Sequence, residues 1–78
     1  MQGARKLAYT VVLEEDPAKH WHAYAPAVPG CFAGGRTRAE ALRRFRSALR
    51  LHLEELAAGG DSLPIERRSP AVQVVVTA

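Results

Sequence analysis

From Leu7 to Glu15 the chain reads LAYTVVLEE, a run of β-branched and aromatic residues that Asp16-Pro17 closes with a turn signal. It predicts a first strand. In His20 to Pro26 (HWHAYAP), Trp21, Ala23 and Ala25 fall on one side of an extended chain, with His20, His22 and Tyr24 on the other. This predicts a second strand with one apolar side. Val28-Pro29-Gly30-Cys31 places proline and glycine at the centre of a type II turn, where proline fixes φ and glycine accepts a positive one. Cys31 to Gly34 then predicts a short third strand, and the three form an antiparallel meander.

The period changes after Arg36. Thr37 followed by Glu40 reads as a capping box, in which the threonine oxygen takes an orphan amide and the glutamate reaches back to the cap. At about 100° per residue, Ala41, Leu42, Phe45, Ala48, Leu49, His52, Leu53 and Leu56 share one broad face, opposite Arg43, Ser47, Arg50 and Glu54. Gly59-Gly60 supplies a left-handed C-terminal cap. The helix is about 21 residues, roughly 30 Å, long. A polar linker, Asp61 to Pro70, leads to VQVVVT, Val72 to Thr77, read as a last strand. The expected class is α+β: a small antiparallel sheet with one long helix packed on one face, in the order β-β-β-α-β.

Composition narrows the picture. Seventy-eight residues, 47% of them hydrophobic, make one domain over 1–78 with material for a core. At this size a core supplies only about 3 to 5 kcal/mol, so assembly into a dimer or tetramer is expected. The lone cysteine, Cys31, excludes an intrachain disulfide and fits a reducing compartment. No apolar run reaches the roughly 18 residues of a membrane span, so the reading is cytoplasmic. A net charge of +3 permits nucleic-acid contact without arguing for it.

The middle of the chain, WHAYAPAVPGCFAGGRTRAEALRRFRSALRLHLEEL, resembles the HicB-like antitoxin family. The likeness rests on an ordered set: Pro26, Pro29, Gly30, Cys31, Gly34, Thr37, Glu40, Ala41, Leu42, His52 and Leu53. The resemblance implies a truncated ribonuclease-H-like fold. It also implies a protein that binds and neutralises a small HicA-type mRNA-cleaving toxin; with no residue cluster that supports a metal, the reading is non-enzymatic and without a cofactor. Family members often add a C-terminal DNA-binding module, which this chain is expected to lack.

The residues offer other chemistry to weigh. A ribonuclease-H-type Mg²⁺ site needs converging carboxylates, but Glu14, Glu15 and Asp16 sit at a strand end, Glu40 is a capping residue, and the last strand offers only Gln73. Cys31 beside a histidine could be a nucleophile; as a turn residue it reads better as a small apolar side chain. His20 and His22 share a strand side as two metal ligands would, with no third in view. His52, on the apolar helix face, reads as a scaffold residue packed on the sheet, with a pH-responsive or interface role as the alternative. Arg43, Arg46 and Arg50 form an outward stripe flanked by Arg44, and Leu51 falls beside Arg44, away from the core. These five are the candidate partner-binding residues. As a solvated face, with Arg50 and Glu54 paired at i, i+4, the arginines need no function. The functional alternatives are contact with an acidic protein surface, toward which Leu51 points, and contact with phosphates, which makes a nucleic-acid-binding module the alternative.

Overall fold

A computed structural model describes residues 6–65 and 73–77. It contains β1 (Lys6–Thr10), β2 (Val12–Glu15), β3 (Trp21–Tyr24), β4 (Phe32–Gly35), α1 (Arg38–Ala58) and β5 (Gln73–Thr77). The class is α+β as expected, with a three-stranded antiparallel sheet, β2-β3-β4, and one long helix.

The single strand expected over Leu7 to Glu15 is two strands, broken at Val11. Leu7, Tyr9, Val11 and Leu13 all pack in or against the core, so the inward alternation runs through the break. What changes is the partner: β1 pairs antiparallel with β5, Lys6 opposite Thr77, whereas β2 pairs with β3, Val12 opposite Tyr24. The last strand begins at Gln73. Val72 and the linker beyond Ile65 lie outside the described residues.

Local chemistry sets the connections. Between β2 and β3, the Asp16 N–H donates to the His20 carbonyl at 2.8 Å and the Lys19 N–H to the Asp16 carbonyl at 2.8 Å. Lys19 closes that turn at φ 66°, the left-handed conformation that three-residue hairpin loops use at their last position. After β3, two turns follow in series. The Val28 N–H donates to the Ala25 carbonyl at 3.0 Å and the Cys31 N–H to the Val28 carbonyl at 3.3 Å, with Gly30 at φ 86°. Cys31 thus spends its amide on the turn, and β4 starts one residue later than the sequence suggests.

Thr37 is extended and its Oγ1 accepts the Glu40 N–H at 3.0 Å. The Glu40 carboxylate reaches past the cap residue and accepts the Arg36 N–H at 2.8 Å, one residue beyond the expected partner. At the other end Gly59 is still right-handed, and Gly60, at φ 78°, makes the left-handed cap. The Gly60 N–H donates to the Ala57 carbonyl and the Asp61 N–H to the Leu56 carbonyl, the paired bonds of a Schellman motif.

The helix buries Ala41, Phe45, Leu49 and Leu53 against Tyr9, Ala23, Ala25, Val28 and Cys31. Alanines at 23, 25 and 41 let helix and sheet approach closely; among the described residues, Tyr9, Val28, Phe45, Leu49 and Leu53 are the largest that are fully buried. The Tyr9 hydroxyl donates to the Pro64 carbonyl at 2.6 Å and ties β1 to the segment after the helix. Opposite the helix, the sheet's outer face carries Tyr24 directly across from Phe32, 38% and 75% exposed.

Candidate partner-binding surface

Helix spacing and the β4 edge together sort the five candidate residues. Residues 44, 48, 51 and 55 recur at helical intervals and form the flank of α1 that borders β4. Arg44 Nη1 donates to the Gly34 carbonyl at 3.2 Å and lies 3.6 Å from Glu40. Two turns on, Leu51 is 58% exposed and lines a groove of about 280 Å³ with Cys31, Phe32, Ala48, His52 and Glu55. Arg44 and Leu51 therefore belong to one strip along β4. Arg43, Arg46 and Arg50 are exposed on the rest of the helix surface.

Phe32 lines the same groove although the sequence reading does not single it out. Its signal was present: alternation in HWHAYAP sends Tyr24 outward, and the register sets Phe32 opposite it. What the sequence hides is that the first residue of β4 stands beside the helix flank. Phe32 and Leu51, both exposed, line one groove, with Arg44 and Glu55 on the same helix flank.

The remaining candidates have structural partners. His22 Nε2 lies 2.8 Å from Asp16 Oδ2, and Asp16 Oδ1 accepts the His20 N–H at 2.9 Å. The His22 bond, then the His20 amide, hold the Asp16 carboxyl below its ordinary value. The Arg36 amide does the same for Glu40, helped by the nearby guanidinium groups of Arg44, Arg43 and Arg36. Glu14 and Glu15 are exposed at the end of β2, on opposite faces of the strand. Gln73 pairs with Thr10 in the other sheet. Among the described residues, no group of three His, Cys, Asp or Glu side chains is placed to hold a metal ion. Cys31 is 7% exposed, and burial raises its thiol pKa, the reverse of what activates a nucleophile. His52 is half-buried at the groove.

At the other end of β4 a second cleft, of about 550 Å³, opens between His20, Trp21, His22, Arg36, Glu40 and Arg44. Among the described residues, no helix is long and apolar enough to cross a membrane.

Residues 9–75 match the family described as the HicB-like antitoxin of bacterial toxin-antitoxin systems. UPF0150 protein Ta0767 of Thermoplasma acidophilum is 33% identical over 72 residues, 92% of this chain and all of that protein. UPF0150 protein ssr1765 of Synechocystis is 36% identical over 58 residues, 74% of this chain and 73% of the relative. In fold, the chain is similar to the N-terminal domain of the Burkholderia pseudomallei antitoxin HicB, with a TM-score of 0.75 and 19% identity over 92% of this chain and 98% of that one. It is also similar to a chain of the HicA3 and HicB3 toxin-antitoxin complex, with a TM-score of 0.66 and 22% identity over 90% of this chain and 95% of that one. With the family matched over almost its whole length, and with the ordered turn and helix-cap residues in place, the chain belongs to the HicB-like antitoxin family.

Proposed function

We propose that this chain is a non-enzymatic binding protein whose partner is a small HicA-type mRNA-cleaving toxin, and that it neutralises the toxin by docking it along the β4 strip. The observation that carries the docking surface is that Phe32 and Leu51, 75% and 58% exposed, line one groove. Large apolar side chains grouped this way on a small domain mark a surface for a partner. Arg44 at one end of the strip suits an acidic patch on that partner. The family assignment supports the class of partner, and the fold shared with a chain of the HicA3 and HicB3 toxin-antitoxin complex agrees with it.

The test is co-expression with a small HicA-type toxin. Growth rescue, together with a complex that survives size exclusion, is the expected result; no rescue and no complex would sink the reading. The same reading places the protein in the cytoplasm and has it self-associate, because a core of this size supplies little stability and the outer sheet face carries Tyr24 in the open. Light scattering should then give a mass of two or four 8.5 kDa chains.

A further inference from the structure

The cleft at the far end of β4 shares only Arg44 with the toxin reading, and its chemistry is different. Its walls carry two guanidinium groups, Arg36 and Arg44, and two imidazoles, His20 and His22, against a single carboxylate, Glu40. That carboxylate is already engaged: it accepts the Arg36 amide at 2.8 Å and lies 3.6 Å from Arg44. Arg44 spends one donor on the Gly34 carbonyl, which fixes the guanidinium at the cleft and leaves the rest of its five N–H groups for another acceptor. Asp16 holds Nε2 of His22, and the ring's Nδ1 lies over Gly34, 4.0 Å from where a Cβ would stand. A side chain at that position would also meet the Trp21 carbonyl at 3.3 Å. Glycine at 34 thus keeps the floor open beneath the imidazole. Half-buried Trp21 supplies the apolar wall.

We propose that this cleft binds a phosphate group carried by a nucleotide or an RNA strand, held between Arg36 and Arg44 with His22 above Gly34. Guanidinium groups match the oxygens of phosphate in paired hydrogen bonds, and a volume of about 550 Å³ admits a nucleotide-sized ligand. A water-exposed ion pair would need no such cleft. A carboxylate peptide is a less apt occupant, because the edge of β4 is covered at Gly34 by Arg44, which obstructs the strand pairing an extended peptide would use.

Trp21 is the only tryptophan in the chain, so its fluorescence reports on the cleft. The protein is titrated at physiological salt with inorganic phosphate, uridine 5′-monophosphate and a short oligouridylate. Amide shifts of Gly34 and Gly35 are followed in ¹⁵N-labelled protein as a second readout. Saturable binding is expected, weakened about tenfold in Arg36→Gln and in Arg44→Gln. Equal affinity for all three probes assigns the cleft to the phosphate group itself, and a gain with the oligonucleotide assigns it to an RNA strand. The proposal fails if none of the probes gives a saturable change, or if binding survives unchanged in both variants. Arg36 is exposed, so its variant keeps the test usable if Arg44→Gln disturbs the edge of β4. The proposal stands apart from the antitoxin reading: Arg36→Gln is expected to leave toxin binding intact.

Discussion

A Cβ placed on Gly35 would stand 2.7 Å from the backbone nitrogen of Ala41 and 3.0 Å from Cβ of Glu40. The last residue of β4 and the first turn of α1 are thus in backbone contact, at a separation that only glycine permits. Because the obstruction is backbone, relief requires the helix to move off the sheet. Gly35→Ala is expected to lower stability by about 1 to 3 kcal/mol, read as a drop in the denaturation midpoint. Gly30→Ala makes a useful contrast: nothing lies within 4 Å of its added Cβ. There the cost comes from φ 86° alone and should be about 1 to 2 kcal/mol.

The helix cap gives a pH-dependent prediction. Thr37→Ala should cost about 1 kcal/mol, the usual loss for an N-cap. Glu40 behaves differently, because the Arg36 amide favours its ionised form and the carboxyl pKa is lower folded than unfolded. Such a group stabilises the fold fully above the unfolded value of about 4.3 and loses that contribution as pH falls through the folded value. Asp16, held down by His22, adds a contribution of the same sign. The midpoint difference between wild type and Glu40→Gln should therefore be largest near neutrality and close in acid. A difference constant from neutral to strongly acidic pH would show that the ionised carboxylate has no such role.

Burial of Cys31 bears on its reactivity. With the thiol 7% exposed and its pKa raised by burial, little of the reactive thiolate forms at neutral pH. Alkylation by iodoacetamide should be slow in the native protein and fast in denaturant. Fast native alkylation would mean that the turn opens readily.

Much of the fold was legible because its signals are local. Proline at 29 and glycine at 30 specify one turn, Thr37 and Glu40 mark one helix start, and the spacing of Phe45, Leu49 and Leu53 identifies one buried face. The split at Val11 was not legible. Inward alternation through Leu7, Tyr9, Val11 and Leu13 is continuous, and only the exchange of partner from β5 to β3 divides the strand. Pairing across more than 60 residues leaves no mark in a local period. The candidate site shows the same limit. Arg44 and Leu51 stand out from the helix alone, but Phe32 joins them from a strand, and the groove exists only where β4 lies beside the helix flank.

That composite surface yields a prediction that separates its two readings. If a protein partner docks along β4, Leu51→Glu and Phe32→Ser each place a polar or charged group at the apolar centre of the interface. Each should weaken the complex by about 2 kcal/mol, roughly 30-fold. Both side chains are exposed, so neither change should move the denaturation midpoint by more than about 0.5 kcal/mol. Arg43→Ala and Arg50→Ala, on the rest of the helix, should reduce the same affinity by less than about threefold. A nucleic-acid partner reverses the pattern: the arginine changes would dominate, and affinity would fall steeply between low and physiological salt. Calorimetric titration of the four variants at two salt concentrations decides between them. Equal losses from Arg43→Ala and Leu51→Glu, with strong salt dependence, would remove the β4 strip as the docking surface.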